Sequence, residues 1–269
     1  MEKRISELIF ANCLFILLLS FFSSIGGLVG YVFYFLAFAL PTLVLILFWD
    51  RDGTETYRVS FRLSPSDLRL TLPLFFPIIF LIFSLSLLTS LLMSAGGVGS
   101  SQSDVSGSIV FVIVTRALAP AILEEMLFRY LPIRGLGSYS PKLALIYSAV
   151  LFSLAHCSIY QLPYTLFAGL ALALPVLMSG SILPSIMIHF LNNLSSVLIV
   201  RNAERESVFL ILVILIALFA ILSGLWIAFK REKYKEAILP IITDKSKLKF
   251  TYTLIFYIVA TLAVAIFTL

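Results

Sequence analysis

The sequence predicts an all-α, polytopic integral membrane protein, a helix bundle of about eight to nine transmembrane spans with its N-terminus in the cytoplasm. Three observations predict it. Of the 269 residues, 61% are hydrophobic and only 12% are charged, where a soluble domain is about a quarter charged. Mean hydropathy is +1.08, and apolar runs of about 20 residues recur along the chain, the length a helix needs to cross a bilayer while satisfying its own backbone. The cations are also sorted. On a path that alternates sides, sixteen Lys and Arg fall on the side of the N-terminus, Arg201 and Arg205 on the other, and Arg116 within a span. Cationic loops stay inside, so the N-terminus is cytoplasmic and the C-terminus external. The net charge of +5 therefore sits beside the spans and implies no nucleic-acid partner.

Nine spans are predicted in order: 9–24, 28–49, 70–93, 109–134, 140–157, 162–177, 183–200, 208–229 and 252–269. The first follows a basic start and lacks a small-residue cleavage site, so it reads as a retained span rather than a signal peptide. Between the second and third lies a polar segment with a short interfacial helix started by Ser64 or Ser66. A Gly/Ser-rich loop precedes the fourth span, and a basic segment from Lys230 to Lys249 precedes the last. Cys13 and Cys157 both fall in apolar runs, which excludes a disulfide framework and a cysteine metal site. No internal repeat or soluble domain interrupts the single membrane domain, 1–269.

The fourth span carries Arg116, Glu124, Glu125 and Arg129. Each such group costs roughly 3 kcal/mol at the bilayer centre, against about 0.5 gained per Leu or Ile. Lipid cannot be their neighbour; they face protein or a water-filled cavity and mark a candidate site. At about 100° per residue, Glu125 and Arg129 stand on one face and pair, while Glu124 points elsewhere. Pro120 frees the carbonyl of Arg116 from its helical bond and loosens the helix one turn before the acids. The plainer reading makes both acids ion-paired glue between helices.

Both histidines of the chain also lie in spans, His156 in the fifth and His189 in the seventh. Ser185, His189 and Asn193 recur at intervals of four and form one stripe. Singly, an intramembrane His or Asn is interhelical hydrogen-bond glue. Together with Glu124 they supply a base, an orienting or acid partner and neutral donors for an oxyanion, the parts for activating water against a carbonyl. Depth supports Glu124 and His189, each about 10 Å from the cytoplasmic side, but a straight fifth span puts His156 about 25 Å in.

These residues resemble a known family. Glu124-Glu125-Met-Leu-Phe-Arg129 resembles an EExxxR motif, Phe152-Ser-Leu-Ala-His156 an FxxxH motif, and His189-Phe-Leu-Asn-Asn193 an HxxxN motif. In order and type they resemble the CAAX protease and bacteriocin-processing (CPBP, or Abi) family of intramembrane endopeptidases, which includes type II CAAX prenyl proteases. The resemblance places a catalytic core at 109–200. It implies that Glu124 activates water, His156 holds or polarises it, His189 and Asn193 bind the oxyanion, and Glu125, Arg129 and Phe152 support the site. It further implies a prokaryotic plasma-membrane enzyme whose site opens towards the cytoplasm. Its substrate would be membrane-associated, a prenylated CAAX or leader-type peptide or protein.

No cofactor is expected. Zinc on Glu124, His156 and His189 is the alternative, ranked lower because there is no HExxH and because Asn193 suits an oxyanion better than a metal. Cys157 is expected to be inert packing. A proton-coupled transporter would predict repeated halves with broken helices, which the sequence lacks; a non-catalytic scaffold would not need intact motif residues.

Overall fold

The computed structural model describes residues 1–22, 25, 27–51, 56–95, 107–202, 205–248 and 251–267. Among these residues the chain is helical, apart from short connections and one isolated parallel bridge between Ser60 and Ser181. The helices are α1 (Glu2–Phe22), α2 (Gly27–Arg51), α3 (Pro65–Thr71), α4 (Phe75–Ala95), α5 (109–136), α6 (Pro141–Ala155), α7 (Leu162–Ser179), α8 (Leu183–Arg201), α9 (Glu206–Phe229), α10 (Arg231–Ile242) and α11 (Tyr252–Phe267). By length and composition, six described helices can cross a membrane: Glu2–Phe22, Val29–Asp50, Pro65–Leu92, Leu162–Ser179, Leu183–Arg201 and Leu210–Phe229. The protein is an integral membrane protein built of helices. The Gly/Ser-rich loop expected before the fourth span lies mostly outside the described residues.

Two expectations change around the polar connections. Ser64, not Ser66, caps α3: its hydroxyl oxygen accepts the Asp67 N–H at 3.1 Å, with Pro65 in the first turn. The helix it starts is not a separate interfacial element, because a 3₁₀ turn over Leu72–Leu74 carries it directly into α4. The basic segment after α9 also folds. Its helix α10 buries Tyr234 and Ile241 and leaves its charges outward. Tyr234 donates to the Leu70 carbonyl at 3.0 Å, which anchors α10 to the start of the third span.

One end of the bundle gathers the cationic segments, as the alternating path requires. Trp49 donates to Glu7 at 2.7 Å, the Tyr57 amide to the Arg134 carbonyl at 2.8 Å, and the Ser60 amide to the Gly180 carbonyl at 2.8 Å. Gly180, at φ +67, ends α7 in the left-handed conformation that glycine adopts without strain. Asp244 accepts from Ser140, and this bond with those from Ser246 pulls its carboxyl down to about 2. At the opposite end Arg201 donates to the Gly107 carbonyl at 3.1 Å.

Helix α6 is only 15 residues long, about 22 Å. His156 caps it, and Cys157, at φ +46, turns the chain back towards α7. The length of α6 keeps His156 far from Ser140, at the tip of the helix, yet it lines one cavity with Glu124 and His189. Cys157 is the turning residue rather than mere packing. Helix α7 returns in close contact: a Cβ built on Gly169 would stand 2.6 Å from the Ala149 Cα. Ser153 donates to the Leu162 carbonyl at 2.8 Å and pins the turn.

Candidate active site

The site is built on α5, which is not a plain α-helix. Two π-helical turns, Val114–Leu118 and Met126–Tyr130, flank the regular stretch Ala119–Glu125. Their wider bonds run from the Ala119 N–H to the Val114 carbonyl and from the Leu131 N–H to the Met126 carbonyl. A proline follows each. Pro120, as expected, and Pro132, which the sequence reading passed over, have no N–H to complete an α-helical ladder. Pro132 leaves the Phe128 carbonyl without its usual donor, and the buried Ser148 hydroxyl of α6 takes that place at 2.5 Å. The two bulges thus have identifiable causes, and such bulges concentrate at functional sites.

The acids separate as the helix angle predicts. Glu125 is fully buried, with Oε1 3.1 Å from an Arg129 guanidinium nitrogen. That contact is an ion pair by distance only, since none of the Arg129 N–H groups makes a well-aimed hydrogen bond among the described residues. The guanidinium instead lies 4.0 Å over the Phe152 ring, whose π face meets its charge. Phe152 also packs edge-on against Phe128, His156 and His189. Phe152 thus touches Arg129, His156 and His189, one residue from each of the three motifs.

Glu125 has a second partner that the spacing did not reveal. Its Oε1 lies 2.7 Å from His189 Nδ1, and its Oε2 accepts from Ser185. The stripe Ser185–His189 of α8 therefore docks on Glu125, and Glu125 holds three groups rather than Arg129 alone. Glu124 remains the accessible acid, its side chain 16% exposed, with Oε2 3.8 Å from His189 Nε2. His189 stands between the two carboxylates. With Nδ1–H given to Glu125, a singly protonated ring presents Nε2 as an acceptor. In that tautomer His189 donates to an oxyanion only when both ring nitrogens carry protons.

His156 turns Nδ1 to the Phe152 carbonyl, 2.8 Å away, leaving Nε2 for the cavity. Asn193 Oδ1 accepts from Asn192 Nδ2 at 3.4 Å, leaving its own amide hydrogens available. Glu124, Phe152, His156, His189, Asn192 and Asn193 line one cavity of about 230 Å³, closed on the far side by Ile82 and Ser86 of α4 and Tyr164 of α7. Glu124 and Asn193 also line a second cavity of about 560 Å³, which includes Arg116, Tyr31 and Tyr34. That cavity reaches Gly27, Thr115 and Val200, towards the end opposite the clustered cations. The family resemblance implies an opening at the other end. Asn192 and Ser196 extend the α8 stripe at helical spacing, a signal that was legible; Tyr34 and Tyr164 come from distant helices and had none.

Metal donors of the right type are present, since His156 and His189 each have a ring nitrogen held by an acceptor and the other directed away from it. Their placement does not fit. Among the described residues no three His, Cys, Asp or Glu side chains converge at metal-binding separations.

Residues 106–195 match the family model described as Type II CAAX prenyl endopeptidase Rce1-like. The matched segment is about a third of the chain and contains all three motifs, from Glu124 to Asn193. It supports the family resemblance that the motifs carry, and the family is one of proteases. No curated protein and no solved structure matches the chain.

Proposed function

We propose that this chain, with a core of CAAX prenyl endopeptidase type, hydrolyses a peptide bond within the membrane using water activated by Glu124. The observation that carries the reading is the division of labour between adjacent acids: Glu125 is sealed behind Arg129, Ser185 and His189, while Glu124 opens on both cavities. A carboxylate with no hydrogen bond of its own among the described residues is free to take a proton from water as that water attacks a carbonyl. The Asn193 amide and a doubly protonated His189 then hold the oxyanion, and His156 Nε2 orients the water. Glu124 returns its proton to the leaving amine as the C–N bond breaks, so its carboxylate is regenerated and the water is consumed.

The substrate is a membrane-associated peptide or protein, prenylated at a CAAX terminus or of leader type. The family match favours the prenylated class. No step needs a metal, and activity of the solubilised protein is expected to survive a strong chelator; loss with chelation and recovery with added zinc would overturn this mechanism. The test of the function is a comparison of membrane peptides from cells expressing wild type or Glu124→Ala. Truncated products present only with wild type are expected. Identical peptide profiles at equal expression would refute it.

The end bearing Trp49, Arg134 and Asp244 is proposed to be cytoplasmic, on the strength of the cation bias. With Cys13 and Cys157 replaced, a cysteine at Ser246 should react with an impermeant reagent only from the cytoplasmic face of sealed vesicles. Labelling from outside would reverse the orientation.

A further inference from the structure

Helix α9 meets the start of the third span in a groove far from the motif residues. Its walls are Leu72, Pro73 and Phe76 on one side and Phe219, Leu222 and Trp226 on the other, enclosing about 590 Å³. Phe76 and Phe219 stack across it with centroids 4.8 Å apart. One mouth is closed by α10, where Tyr234 bonds the Leu70 carbonyl. At that mouth stand Arg69, Lys230 and Lys233.

Among the described residues nothing neutralises these three cations. Among the described residues none of them forms an ion pair, and no acid lines the groove. Elsewhere at this end of the bundle Arg4 pairs with Glu7, Arg134 with Asp50 and Arg231 with Glu232. The three also come from α3, from the end of α9 and from α10, so folding, not a run of basic residues, puts them together. Lys230 Nζ sits 4.7 Å from the Phe229 centroid and 5.6 Å from that of Trp226, so its ammonium rests over the two rings at the mouth of the groove. A slot of hydrocarbon character capped by unneutralised cations and a tryptophan matches one kind of molecule.

We propose that this groove is a specific site for an anionic glycerophospholipid, with its phosphate on Arg69, Lys230 and Lys233 and an acyl chain along Phe76, Phe219 and Leu222. A zwitterionic lipid offers the same chains, but its ammonium group opposes the cations, so the site discriminates by headgroup. The bound lipid would tie α9 to α4, the helix whose Ile82 and Ser86 close the smaller cavity beside Glu124.

Trp226 is half exposed in the groove, and the other of the two tryptophans, Trp49, is buried against Glu7. The full-length protein is reconstituted into phosphatidylcholine vesicles in which either phosphatidylglycerol or phosphatidylcholine carries brominated acyl chains. Tryptophan quenching is recorded, and the signal of Trp226→Phe is subtracted to leave Trp226 alone. Half-maximal quenching should need at least about threefold less brominated phosphatidylglycerol than brominated phosphatidylcholine, a preference that high salt weakens. Arg69→Gln/Lys230→Gln/Lys233→Gln should bring the two curves together, and Lys233→Gln alone, an exposed change, should shift them part of the way. Coincident curves in the wild-type protein would overturn the site, as would a preference that survives the triple substitution. Neither readout depends on proteolysis.

Discussion

Helices α5 and α9 are both long enough to cross a bilayer, yet they meet opposite demands. Helix α5 carries five charged side chains and two prolines, and departs twice into π-helical turns. Helix α9 has no proline and no charge after Glu206, and only 6% of its most apolar window is buried. An apolar helix needs no protein around it, because lipid is as good a neighbour as leucine. A helix with ionised groups must be enclosed, and α5 is enclosed by α2, α6 and α8, with Leu127, Phe128 and Arg129 fully or almost fully buried. Burial follows chemistry here, not hydrophobicity: the most hydrophobic helix lies at the periphery and the one that carries the buried ion pair lies at the centre.

The contrast can be broken first at Glu125. Glu125→Gln leaves Arg129 as a buried charge without its carboxylate, which should cost about 3–5 kcal/mol of stability. Detergent-unfolding midpoints measure it, and adding Arg129→Met should recover part of the loss. If Glu125→Gln is as stable as wild type, the centre is less dependent on this pair than its burial implies.

Next in size is a loss confined to turnover. Asn193→Ala should lower kcat about a hundredfold, close to 3 kcal/mol, with little change in KM, because an oxyanion exists only in the transition state. The measurement is steady-state cleavage of a peptide identified from the membrane comparison. A rise in KM at constant kcat would make Asn193 a substrate-binding group.

The smallest effect sharpens the comparison from the other side. Leu127→Ala on α5 removes a fully buried side chain and should cost about 2–5 kcal/mol. Leu218→Ala on α9, at a position 47% exposed, should cost under about 0.5 kcal/mol, since lipid surrounds it folded or unfolded. Similar unfolding midpoints for the two variants would mean that α9 is covered in the membrane by something other than lipid.

Much of the centre was legible because it depends on local spacing. Residues four apart on one helix share a face whatever else the chain does, so the Glu125–Arg129 pair and the Ser185–His189–Asn193 stripe follow from numbering alone. What spacing cannot supply is which face meets which. The docking of the α8 stripe on Glu125, the bond from Ser148 to Phe128, and Tyr34 and Tyr164 in the cavities all join residues far apart in sequence. The lengths of elements were the other gap. Basic residues were read as loop because they keep α10 out of the bilayer, yet the same residues favour helix at its surface. The fifth span, expected over 140–157, matches α6 closely, but the turn at its end was not foreseen because a left-handed cysteine leaves no mark in composition.

The contact at Gly169 has a mechanical consequence. With no thickness between the α6 and α7 backbones for even a methyl group, and with Ser153 bonded both to the Leu162 carbonyl and to Thr165, the two helices behave as a single plank. His156 sits at its tip and Tyr164 just past the bend, so neither can slide against the other. Admitting a bulky chain to the smaller cavity must therefore swing the whole plank or displace α4 opposite it. Helix α4 packs on the plank itself through α7, as well as on α8 and α9, so the two cannot part without giving up those contacts.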